Sequence, residues 1–222
     1  MRKLFEIGGL VAAVVLIAFG VVTIIMGVNG RNTVSSSLKT EQITGSPDMT
    51  PAGIKAAATK AKLDLTKISL PTCSVAGESV NTGAKARCFA QYMQIHALEA
   101  TGGFVYAQMG QFMAKPGTPK AELTPDGATS NREFAVLDPK TQQPVSNGAR
   151  NVWVTETALT TALNTSFMAA QLGLFAIVVG VALLLSGFGF AILAIGGALR
   201  NPETALTWLA RKPKVQATVR PV

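Results

Sequence analysis

Two long runs without an ionisable residue bracket this chain and limit what it can fold into: Ile7–Val28, 22 residues, and Leu172–Leu199, 28 residues. A helix needs about 20 apolar residues to cross a hydrocarbon core ~30 Å thick. Each run therefore reads as a transmembrane helix. The expected fold is mainly α: a two-helix transmembrane hairpin with a disulfide-tied, mostly helical extracytoplasmic domain built on extensions of the spanning helices. A cleaved signal peptide has an apolar stretch of roughly 7–15 residues and small residues at its cleavage site. The first run is longer than that, and Val28-Asn29-Gly30-Arg31 is a poor cleavage site. The run is expected to stay as an anchor.

Charge gives the orientation. Basic residues in short flanks remain cytoplasmic, whereas long translocated segments do not count. Arg2 and Lys3 precede the first run; Arg200, Arg211, Lys212, Lys214 and Arg220 follow the second. Both termini read as cytoplasmic, in a multi-pass protein of the cell membrane. The net charge of +8 divides as +1 before the first run, +3 between the runs and +4 in the tail. The basicity is concentrated where anionic headgroups are met, so the expected partners are membrane lipids, and nucleic acid is not one. Four regions result: 1–28, cytoplasmic start and first span; 29–170, extracytoplasmic helical domain; 171–199, second span; 200–222, basic cytoplasmic tail.

Both cysteines, Cys73 and Cys88, fall in the extracytoplasmic segment. Disulfides persist in such oxidising compartments. Their spacing is not CxxC and no second ligand pair exists, which disfavours a redox or metal pair. A structural disulfide is expected.

Asn32–Gln42 can continue the first helix past Gly27 and Gly30, with Gly45-Ser46-Pro47 as its stop. Thr50-Pro51 is an N-cap followed by Pro at the first helical position, and predicts a short helix over Pro51–Leu63. Its Lys55, Lys60 and Lys62 form a solvated face. Cys73 to Gly83 reads as a loop. Ala84–Thr101 reads as the central helix, nearly apolar, with Arg87, Gln91, Gln94 and Thr101 as its polar stripe and Gly102-Gly103 as its end. The Pro- and Gly-rich stretch near 115–148 is expected to be an exposed, mobile loop. A small hairpin within it joins Phe134–Leu137 to Pro144-Val145. From Arg150 a long helix is expected, with Leu159, Leu163 and Phe167 on one side, running on into the second span.

Small residues recur every seven positions in both spans: Ala13, Gly20 and Gly27 in the first; Gly173, Gly180, Gly187 and Ala194 in the second. Stripes of small residues let helix backbones approach closely in lipid. Pairing within the hairpin, between subunits, or against another membrane protein fits equally. In the tail, Asn201-Pro202-Glu203 starts a short amphipathic helix. Its Trp208, Arg211, Lys212 and Lys214 are expected at lipid headgroups.

The only histidine is His96, on one side of the central helix with Cys88, Tyr92 and Glu99. A core histidine beside a buried glutamate is the expected reading, since a metal site needs more ligands. GxSxG, the P-loop, GxGxxG and HExxH are all missing. No catalytic residue, cofactor or metal ligand is expected.

The stretches Thr72–Gly77, Ala86–Met93, His96–Gly103 and Ala149–Leu159, with the start Met1–Gly9, resemble a family of short bacterial two-pass membrane proteins. Some of its members bear an automatic label of aromatic ring-opening dioxygenase. A non-haem iron oxygenase of the common type needs two histidines and a carboxylate on one iron. This chain has one histidine, so the resemblance implies the membrane architecture and not that activity. The function expected is a non-enzymatic accessory or scaffold subunit that packs through its small-residue stripes. A homo-oligomeric pore and an extracytoplasmic ligand-binding or sensor module are the alternatives.

Overall fold

Among the described residues four helices carry the chain: α1 (Arg2–Thr40), α2 (Pro51–Lys60), α3 (Gly83–Ala100) and α4 (Gly148–Ile195). Three 3-10 turns, at Tyr106–Gln108, Lys120–Glu122 and Arg132–Phe134, lie between α3 and α4. The computed structural model describes residues 2–196, so Trp208, Arg211, Lys212 and Lys214 lie outside the described residues. Contacts divide the chain into two units. Of the described residues, one holds 2–29 and 172–196; the other is Gly30–Gln171.

In the first unit, α1 and α4 are each long and apolar enough to cross a membrane. They pack antiparallel, backbone to backbone. A Cβ on Gly27 would lie 2.6 Å from the Gly173 carbonyl oxygen, and one on Gly20 would lie 2.8 Å from that of Gly180. A Cβ on Gly187 would lie 2.7 Å from Ile17 and 3.1 Å from the Ala13 carbonyl oxygen. Each seven-residue step forward on α1 matches a seven-residue step back on α4, so the two stripes stay in register. Of the three pairings open to the stripes, the structure uses the one within the hairpin. Ala13, Gly20, Gly27, Gly173, Gly180, Gly187 and Ala194 are all buried. Phe19, Val22, Phe175 and Leu185 face outward instead. The hydroxyls in these segments are spent locally: Thr23 donates to the Phe19 carbonyl and Ser186 to that of Ala182, each one turn back.

The second unit is built on an apolar core. Leu38 from α1, Ile54 and Ala58 from α2, Phe89, Tyr92 and Ile95 from α3, and Leu163 from α4 meet in it. Burying Leu38 with Val34 beside it explains why α1 runs past Gly27 and Gly30 without a break. The helix stops where Gln42 turns into the left-handed region at φ 52°. α2 starts as its sequence predicts, with the Thr50 hydroxyl accepting from the Gly53 N–H at 3.0 Å. It ends three residues before the expected Leu63. Lys62 takes φ 56°, the Leu63 N–H bonds back to Ala58, and the Lys62 N–H bonds to Thr59. This is a Schellman cap, made here with a lysine in the usual glycine position. α3 ends in the same motif on Gly102, at φ 67°.

A disulfide joins Cys73 to Cys88. The fully buried Tyr92 supports it, donating its hydroxyl to the Cys73 carbonyl at 2.6 Å. At the start of α3, Gly83 lets α4 approach. A Cβ there would lie 2.7 Å from that of Ala170. One turn on, Arg87 stacks over the Phe167 ring at 4.8 Å. Thr101, expected on the solvated stripe of α3, is instead buried and donates its hydroxyl to the Phe104 carbonyl.

The stretch near 115–148 is mostly exposed, as expected, and carries pairings that its composition did not show. The predicted hairpin joins Leu137 to Pro144 around a turn on Asp138, as an isolated bridge and not as strands. Further bridges tie the rest of the stretch together. Phe112 pairs with both Thr129 and Ser146, and Ala114 pairs with Ala135. Asp126 knots the segment: its carboxylate accepts from Thr124 and Asn147 side chains and from the Gly110 and Ala128 N–H groups. A composition rich in turn formers gave no sign of these pairings, because each joins residues distant in sequence.

Candidate functional site: a groove beside His96 and Glu156

The most functional-looking constellation lies in the second unit, between α3 and the first turns of α4. α3 sets Met93, His96 and Ala97 along one edge, and α4 sets Asn151, Val152, Thr155, Glu156 and Leu159 along the other. Both sets follow the i, i+3, i+4 spacing that puts side chains on one helix face. The groove between them measures about 400 Å³.

His96 is clasped from both sides. Its Nδ1 lies 2.9 Å from a Glu99 oxygen and its Nε2 lies 3.2 Å from an Asp48 oxygen. Asp48 comes from the turn before α2, where it also accepts from the Ser46 hydroxyl at 2.5 Å. That hydrogen bond, and then the charge of His96, hold the Asp48 carboxyl below its ordinary value against the opposing effect of burial. Burial, and secondarily the Asp48 charge, raise the Tyr92 phenol.

Glu156 is the unusual member. It is 6% exposed, yet no ion pair reaches it among the described residues. Its partners are hydroxyls: Thr157 at 3.5 Å, and Thr160 one turn on. Burial pushes its carboxyl upward, and the two hydroxyls offset only part of that.

Of the expected group on α3, the structure brings His96 to Glu99, while Cys88 is consumed in the disulfide and Tyr92 in supporting it. His96 is partly exposed at the groove and is not a core residue. No group of three or more metal-capable side chains is arranged to hold an ion among the described residues. Sequence reasoning missed Asp48 and Glu156. Asp48 carried no signal, being far from His96 in the chain. Glu156 did carry one: it lies three residues before Leu159 and seven before Leu163, a charge on the stripe expected to be buried.

A second apolar groove lies on another face of α4, lined by Tyr106, Trp153, Val154 and Ala158. Arg150 stacks on Tyr106 at 4.2 Å beside it.

No protein-family model, curated protein or solved structure matches this chain. The fold and grooves therefore define a class only: a helical protein with one disulfide and, among the described residues, two helices long and apolar enough to cross a membrane.

Proposed function

We propose that this is an integral protein of the cell membrane, an accessory or scaffold subunit without enzymatic activity. Both termini are cytoplasmic and residues 29–170 are extracytoplasmic. The observation that carries this reading is the closed packing of the helix pair. Gly20 on Gly180 and Gly27 on Gly173 leave no room for a side chain between the backbones. The hydroxyls of Thr23 and Ser186 are spent on their own helices, and the outward side chains are apolar. Such a pair suits an anchor. It offers no polar lining, which weighs against the pore alternative. Because the small-residue stripes are used on each other, a partner docks elsewhere, either on the apolar outer faces of the pair or on the second unit.

The test is the native mass of the tagged protein, extracted from its own membrane in mild detergent. A stoichiometric complex with a different membrane protein is the expected result. A discrete multiple of 23.1 kDa with nothing else, conducting ions in liposomes, would replace this reading with the pore. A bare monomer would overturn both.

A further inference from the structure

We infer that the groove between α3 and the first turns of α4 is a binding site for a small amphipathic amine. Its ammonium pairs with Glu156, and its apolar body lies along Met93, Ala97, Val152 and Leu159. This does not depend on the accessory reading, since a partner subunit is not needed to form the groove.

Three observations converge. First, the lining is mainly apolar and the polar groups are few, with a volume of about 400 Å³. Pockets for small organic ligands run from about 300 to 1,000 Å³ with this kind of lining. Second, the charge is one-sided. Three carboxylates, of Asp48, Glu99 and Glu156, gather at and beside the groove, and two of them, Asp48 and Glu99, flank the His96 ring. Asp48 and Glu99 already occupy both ring nitrogens, so nothing is left over for Glu156. Third, Glu156 is more than nine-tenths buried and has no counter-ion among the described residues. A buried carboxylate without a cation costs free energy unless it is neutralised or paired. A ligand ammonium supplies the missing charge and donates up to three hydrogen bonds. A carboxylate or phosphate ligand would meet only repulsion there. Lys85, Arg87 and Arg150 do not compensate: Lys85 pairs with Glu78, and the two arginines stack on Phe167 and Tyr106.

The experiment uses the full chain in lipid nanodiscs, with methionine methyls labelled for NMR and the Met93 signal assigned through Met93→Leu. Phenethylammonium is titrated against its neutral and anionic counterparts, 2-phenylethanol and 3-phenylpropionate. A saturable shift of the Met93 methyl with the amine, weaker with the alcohol and missing with the acid, is expected. Glu156→Gln should weaken amine binding about tenfold or more, the loss expected of a charge-assisted hydrogen bond. The same substitution should raise the melting temperature without ligand, because it removes a buried charge. Glu133→Gln, on an exposed side chain, should change neither. Equal binding of amine and acid, no saturable shift at millimolar amine, or unchanged affinity in Glu156→Gln would each overturn the site. None of these outcomes bears on the native mass of the protein.

Discussion

In the first unit the decisive side chains are the missing ones; in the second they are polar and specific. α1 and α4 come together because Gly20, Gly27, Gly173, Gly180 and Gly187 present bare backbone. In the second unit the helices are shorter and much of the chain is irregular. Its backbone is satisfied by caps, by Asp126 and Asn147, and by isolated bridges, and a disulfide closes it. One unit is held by close backbone contact, the other by an apolar core pinned by named hydrogen bonds and a disulfide. They should therefore fail under different substitutions.

The largest effect is expected at Gly27. In Gly27→Leu the first side-chain carbon already meets the Gly173 carbonyl oxygen at 2.6 Å. Over-packing ordinarily costs up to about 3 kcal/mol, and a rigid helix backbone as neighbour puts this variant above that. Gly189→Leu is the control, since nothing lies within 4 Å of a Cβ there. Thermal unfolding in detergent should separate the two. If both variants melt alike, helix packing through the stripe is wrong.

Next is the disulfide. Changing both Cys73 and Cys88 to Ala should cost about 3 kcal/mol, the chain-entropy value for closing a loop of about 15 residues. The loss should appear as earlier proteolysis within residues 30–171, with the helix pair unaffected. Simultaneous loss of both units would show that they unfold as one.

Asn147→Ala tests the segment that composition presented as an exposed, mobile loop. The buried amide donates to the Gly110 carbonyl at 2.9 Å and to Asp126 at 2.7 Å. Leaving these acceptors unmet should cost about 1–3 kcal/mol. The same knot has a pH signature. Burial acts to raise the Asp126 carboxyl, but the hydrogen bonds from Thr124, Asn147, Ala128 and Gly110 outweigh it, and the net direction is downward. A depressed acid contributes stability that is present above its unfolded value, about 3.9, and is lost as pH falls through its folded value. Amide exchange at Gly110 and Ala128 should therefore accelerate below about pH 4, and Asp126→Asn should remove that dependence.

The smallest effect is expected at the α2 cap. Thr50→Ala removes the hydroxyl that accepts from Gly53, at about 1 kcal/mol. Thr50→Ser should retain most of it, and a calorimetric scan would tell them apart.

Residue patterning by itself was enough for the two long apolar helices, the seven-residue stripes, the Thr50-Pro51 start of α2, the Gly102 end of α3 and the pairing of the only two cysteines. These are local or periodic features: length, spacing and capping chemistry act within a few turns, and a two-cysteine chain offers one internal pairing. Only the tertiary structure decided which surface the stripes face, that the stretch near 115–148 folds on Asp126, and that Asp48 reaches His96. It alone set Glu156 in a groove without a counter-ion among the described residues. Each of these joins residues far apart in the chain, through contacts whose free energy depends on distance and burial, and neither quantity is written in the local order of the residues.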